Sequence, residues 1–488
     1  MASSTDFDAA LVLSRFGLGA NSSGVVSVGP KPRDALKDEI VQRFVPMPAG
    51  DELKSSQDLL VALYAFEQEQ KAERERQPKP AAVPGPAMTM SPPAGPMEPS
   101  PPANTAVNRV TPAKPNGPRL PQRVFLAEVD ARFNGTIRQP VIGFGERLAM
   151  FWANHFAVAV SKGQGLRVLA GAFEREAIRP HIFGRFADML LAVETHPAML
   201  LFLDNQQSVG PDSKAGINRK RGLNENLARE TLELHTLGVD GGYTQTDVTD
   251  LARIITGWTV VGRQARLGEP GTFVFNPNAH EPGSETLLGH SYADTGIEQG
   301  RSALRDLARH PATATHIATK LARYFVADVP PPSLVQKLAA TFTKTDGDLS
   351  AVYLALIGAE EAWNPKLAKV RSPLEYIVAL LRATDERPKP NVITNALNAM
   401  GQPFWSPSGP NGYSDTTDAW ASSEGLSTRI DVAGLFANAA PPEADPRRVA
   451  TDSFGALLSP ETLQAVSRAE TRNQGLAIAF LSPEFQRR

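Results

Sequence analysis

The chain has 488 residues, 42% hydrophobic and 21% charged, with 50 basic and 52 acidic side chains and a formal charge of −2. That balance excludes general nucleic-acid binding through bulk positive charge, and it excludes an acidic, solvating disordered chain. Cysteine is absent, so disulfides, thiolate metal sites, iron–sulfur clusters and a cysteine nucleophile are excluded as well.

The opening stretch MASSTDFDAALVLSRFGLGA lacks a basic n-region and a long apolar run, and does not read as a secretory leader. A chain starting at Met1 is expected in the cytoplasm; one trimmed of a leader would be exported. No apolar run is long enough to span a membrane. Residues 53–76 read as a helix, with Leu59, Leu60, Leu63 and Phe66 at helical spacing before a charged tail. Residues 78–121 hold 14 of the 41 prolines. Proline removes the amide donor and blocks helix interiors, so this stretch reads as a flexible insertion. Its functional alternative is a docking segment for a proline-recognising protein partner.

Beyond it the period is helical almost throughout. Leu148, Phe151, Trp152 and His155 fall at i, i+3, i+4 and i+7, as do Leu251, Ile254, Ile255 and Trp258. His196 precedes a proline and reads as a helix start. In 222–258, Asn224 can cap a helix and Gly238 can end it. Thr244 or Thr246 can cap the next helix, with Asp247 in its first turn. Residues 272–275 are the best strand candidate, before a loop carrying His280. Residues 403–420 read as an ordered aromatic loop. The expected fold is mainly α: a large multi-helix domain at 122–488, a helical part at 1–77, the proline-rich insertion between them, and a small β-hairpin region near 260–290.

On a regular helix Asn226, Glu230 and Glu233 share one face, and Arg229 can reach Glu233 at i+4. Two carboxylates and an amide so placed leave three readings open: oxygen ligands for a divalent metal, an acid/base pair with separated pKa values, or a network neutralised by Arg229. His235 lies across the apolar stripe from Glu233, so one helix cannot aim both at one ion. His155 sits on an apolar stripe, where a hydrogen-bonded core imidazole competes with a metal ligand. His280, beside Glu281 in a loop, is a better-placed chemical candidate. No HExxH, GxSxG or phosphate-loop pattern occurs.

The phrases FWANHFAV (151–158), HPAMLLFLDN (196–205), NENLARETLELHTLGVDGGYTQTDV (224–248), ARIITGW (252–258), RSPLEY (371–376) and SPEFQRR (482–488) resemble the signature of the bacterial "domain of unknown function 1800" family. The likeness covers nearly the whole chain apart from the insertion. It implies no particular reaction, and it implies that many relatives are exported. It places Asn154, His155, Asn226, Arg229, Glu230, Glu233, His235, Asp247, Arg253, Trp258 and His280 in motif positions without giving them roles.

Two functional classes follow. The first is a metal-assisted or acid/base hydrolytic enzyme, its site drawn from helices 151–156, 224–238 and 244–258 and loop 276–290. Its candidate catalytic residues are Arg229, Glu230, Glu233, His235 and His280, and its candidate metal ligands are Glu230, Glu233 and His155. The second is a non-catalytic binding or assembly protein whose polar helix residues form a buried structural network.

Overall fold

The fold follows the helical period. The computed structural model describes residues 4–21, 23–76, 118–138, 142–219 and 222–488. Among them, 22 α-helices stand against two small antiparallel two-stranded sheets, which makes the chain mainly α. Most of the expected proline-rich insertion, through residue 117, lies outside the described residues.

Local signals act where expected. The first long helix runs Ser56–Arg76 and buries Leu59, Leu60 and Leu63. Six later helices begin with a side-chain acceptor followed by proline, which fixes φ and has no amide to satisfy. Ser372, Ser459, Ser482 and Asp445 cap in this way, and the His196 and His310 imidazoles cap Pro197–Phe202 and Pro311–Phe325. Thr244 caps Gln245–Ile254 in a reciprocal box with Asp247.

Two segments depart from the expectation. The helix expected to reach residue 258 ends at Ile254, and Trp258–Val260 turns into a strand paired with Phe273–Phe275. Asn205 accepts the change by donating its amide to the carbonyl of Trp258 at 3.0 Å. A second hairpin pairs Glu285–Leu287 with His290–Tyr292. The expected 224–238 helix is α-helical only over Asn226–Glu230 and widens to a π-turn over Thr231–His235. The wider turn rotates everything after Glu230, so Glu233 is not on the face that a regular helix assigns it.

Two apolar cores result. The larger joins the N-terminal helices to the central bundle, around Phe144, Trp152, Phe156, Phe186 and Tyr353. The smaller unites Val129, Phe133 and Met150 with Tyr376, Leu380, Phe404, Phe436, Phe480 and Phe485. Leu120–Ile137 and Phe144–His155 contribute to both. A cleft opens where the two cores meet.

Candidate functional site

The cleft encloses about 810 Å³ of empty space, part of it open to solvent. Its walls come from Phe144–His155, through Ala153 and Asn154, from the 403–420 loop, from residues 370–375 and from Arg488. Asn154 ties helix to loop. Its amide donates to the carbonyl of Tyr413 at 2.8 Å and accepts the amide N–H of the same residue at 2.7 Å.

Among the described residues, three carboxyl groups line the cleft: Glu174, Glu375 and Asp415. Each has a different electrostatic setting. Burial alone would raise the pKa of Glu375, but Arg147 and Arg488 overcome it and bring it to about 2. Both oxygens of Glu375 are already engaged, one by Arg147 at 2.6 Å and the other by Arg488 at 3.0 Å and the Ser372 amide at 2.8 Å. Glu174 sits on a π-turn, Glu174–Ile178, and shares a buried network with Arg132, Glu146 and Arg179. Burial works to raise its pKa, yet the Arg132 and Arg179 guanidiniums hold it below the usual range. π-turns recur at functional sites because the extra residue re-aims a side chain. Asp415 behaves oppositely. Burial lifts its pKa, and Lys320, Lys369 and Arg488 offset only part of the rise. No hydrogen bond among the described residues holds its carboxyl; Lys369 bonds its backbone carbonyl instead.

The other wall is aromatic. Phe404 and Trp405 lie 4.3 Å apart between centroids with their planes tilted by 37°, and Tyr413 and Trp420 pair at 6.3 Å. Trp405 has φ +49°, in the left-handed region. A bulky residue there costs about 1–3 kcal/mol and persists only where its surroundings hold it. Here the Val160 amide donates to its carbonyl at 2.8 Å, and Phe125 meets its ring edge-on.

Behind this helix lies a cluster of imidazoles. His155 and His235 have ring centroids 6.3 Å apart, and His155 and His316 lie 6.1 Å apart. His235 Nδ1 meets Glu194 Oε1 at 2.7 Å. His155 Nε2 donates to the His235 carbonyl at 3.2 Å, and His316 Nε2 to the Leu234 carbonyl at 3.0 Å. Burial, with Lys320 nearby, drives the pKa of His155 well below its ordinary value and that of His316 to about 4.

The residues singled out in the sequence divide among several places. Glu230 and Glu233 are half-buried and near one another; burial raises the pKa of Glu230, with His235 opposing and Glu233 adding to the rise. Arg229 does not reach Glu233. It donates to Glu225 and Gln245, both at 3.0 Å, because the π-turn moves Glu233 off its row. Tyr243 lies 3.5 Å from Glu233 instead. His280 is buried elsewhere, its Nδ1 3.0 Å from the Thr256 carbonyl and its Nε2 3.6 Å from Asp294. Its neighbour Glu281 turns away to accept the Asp212 amide at 3.0 Å. Asp247 serves its cap and accepts the Leu288 amide at 2.7 Å. Arg253 pairs with Asp250 at 3.1 Å, and Trp258 is fully buried. His155 shares neither oxygen ligands nor hydrogen bonds with Glu230 or Glu233; its partner is a backbone carbonyl. Among the described residues, no group of three or more His, Cys, Asp or Glu side chains is arranged to hold a metal ion.

Sequence reasoning missed Glu174, Asp415, Arg132, Glu194 and His316 as site or cluster members. Two signals were present. The aromatic loop 403–420 was visible, and FEREAIR (173–179) sets four charges among buried apolar residues.

Fold and cleft together define a mainly helical protein with an acid-lined cleft between two apolar cores. The family model described as "Protein of unknown function (DUF1800)" matches residues 11–487, and the chain belongs to that family. No curated protein and no solved structure matches it. Among the described residues, no helix is long and apolar enough to cross a membrane.

Proposed function

We propose that this protein is an acid/base hydrolase working in the cleft, with Asp415 as proton donor and Glu174 as its ionised partner. One observation carries the reading: carboxyl groups on the same cavity are pushed in opposite directions, Asp415 up and Glu174 down. Such separation lets one group give a proton while another takes one. Glu375 is excluded from the exchange because both its oxygens are occupied, whereas Arg132 and Arg179 both engage Oε1 of Glu174 and leave Oε2 without a hydrogen-bond partner among the described residues. In the step itself, Asp415 protonates the leaving oxygen as its bond breaks. Water forms the new bond and loses its proton to Glu174, and solvent returns both groups to their starting states.

The test is turnover of a panel of 4-nitrophenyl glycosides, esters and phosphates. At least one member is expected to be hydrolysed, with Asp415→Asn and Glu174→Gln each losing roughly 10²–10⁴-fold. Failure to turn over any member, or unchanged rates in both folded variants, overturns the reading. Glu230→Gln, Glu233→Gln and His280→Asn belong in the same assay. Loss there with Asp415→Asn unaffected moves the site to the region of the π-turn over Thr231–His235.

A binding protein without chemistry is the second reading. It draws on how fully the wall charges are paired, Arg132 with Glu146 and Glu174, and Arg488 with Glu375.

A further inference from the structure

The cleft combines aromatic faces with compensated charge, and this restricts what fits. Its two lining guanidiniums are both matched: Arg132 by Glu174 at 2.8 Å and Arg488 by Glu375 at 2.9 Å. Among the described residues, no uncompensated cation on the wall calls for a phosphate or carboxylate ligand. A polypeptide would look for backbone partners at a strand edge. The described strands lie within residues 258–292, and none of them lines the cleft.

Trp405 supplies the independent observation. Its backbone sits at φ +49°, which glycine would adopt without strain, yet the position carries the largest aromatic side chain and turns it to the cavity wall. Tyr413 and Trp420 add a second aromatic pair on the same cavity. A flat apolar platform ringed by carboxyl, amide and hydroxyl groups matches one ligand chemistry well. A pyranose ring has an apolar C–H face for the indole and hydroxyls at its rim that donate and accept at once.

We propose that the cleft takes a neutral saccharide, with Trp405 as the platform on which a sugar ring stacks. The proposal rests on the cleft being the working site; it does not require that hydrolysis occur there.

The experiment is calorimetry and tryptophan fluorescence of the full chain with cellotetraose, maltotetraose and chitotetraose, against a Gly-Ser tetrapeptide and inorganic phosphate. At least one tetrasaccharide is expected to bind in the micromolar-to-millimolar range and to change the fluorescence. Trp405→Gly relaxes the backbone while removing the ring, and it is expected to weaken binding by about tenfold or more. Trp420→Ala, at a half-exposed position, is expected to weaken it as well, and it decides alone if Trp405→Gly does not fold. Absence of binding by all three sugars at millimolar concentration, parent-like affinity in the folded variants, or tighter binding of peptide or phosphate overturns the proposal. Sugar binding without turnover of any substrate removes the hydrolase reading and leaves this one standing. Hydrolysis of esters by a protein that binds no sugar does the reverse.

Discussion

His235 donates its Nδ1–H to Glu194 across 2.7 Å, with both side chains almost wholly out of solvent. A carboxylate can only accept, so the bond places a proton on Nδ1. His235 Nε2 has no partner among the described residues, and neither has His155 Nδ1. The Glu194 contact therefore orients an imidazole in the middle of the protein. Glu194→Ala is expected to destabilise by about 3 kcal/mol, since it orphans a buried donor. Glu194→Gln keeps one acceptor and is expected to cost less. The midpoints of urea unfolding read both effects. Equal midpoints for Glu194→Ala and the parent would show that the contact contributes nothing.

The imidazoles give the protein an acid-side weakness. His316 titrates near pH 4 when folded, against an ordinary value of 6.5. Between those values the unfolded chain binds more protons, so stability rises with pH. The contribution is complete above about pH 6.5 and is lost as pH falls toward 4. His316→Gln is expected to flatten this part of the stability–pH curve, by on the order of 2 kcal/mol after discounting partial exposure. The depressed carboxylates Glu174 and Glu375 act in a lower window, below their ordinary value of 4.5. A variant curve parallel to the parent's between pH 4 and 6.5 would contradict the assignment.

Glu386 works in the opposite sense. Burial raises its pKa from 4.5 to about 7, and one of its oxygens is buried without a partner. Its contribution is present below pH 4.5 and is lost as pH rises through 7. Glu386→Gln is expected to leave stability near pH 4 unchanged and to raise it at pH 8. Thermal melts at the two values test this, and a variant less stable than the parent at pH 8 would refute it.

Gly238 closes the turn after the π-segment at φ +86°, and a Cβ there would lie 2.8 Å from His316 Nδ1. Gly238→Ala meets two penalties. The left-handed backbone costs about 1–2 kcal/mol, and the overlap with the imidazole about 1–3 kcal/mol. A lowered unfolding midpoint is expected. If the ring is pushed toward water, its pKa climbs from about 4 back toward 6.5, which NMR titration of the imidazole can follow. An unmoved imidazole pKa in the folded variant would mean that the backbone, not the histidine, yields.

Much of the chain was legible from its own residues because the relevant physics is local. The 3.6 period of Leu148, Phe151, Trp152 and His155 marks a helix whose apolar face must be covered. Thr244 with Asp247, Gly238 with its positive φ, and the His-Pro and Ser-Pro starts each act within a turn of chain. The phrases shared with the family likewise lie within short segments, and residues 11–487 belong to it. Partnership was not legible. Nothing near Asn154 in sequence indicates Tyr413 as the residue it clamps, 259 positions later. Arg229 and Glu233 have the right spacing for a pair, but a single widened turn separates them. His155 and His235, 80 residues apart, meet because their helices pack, whereas His280 is held by Thr256 and Asp294. Local sequence sets which segments coil and where they stop, since those choices depend on neighbours within a few residues. Only the packing of the two cores decides which carboxyl groups face one cavity and how far burial and distant arginines move their protons, because both effects act through space rather than along the chain.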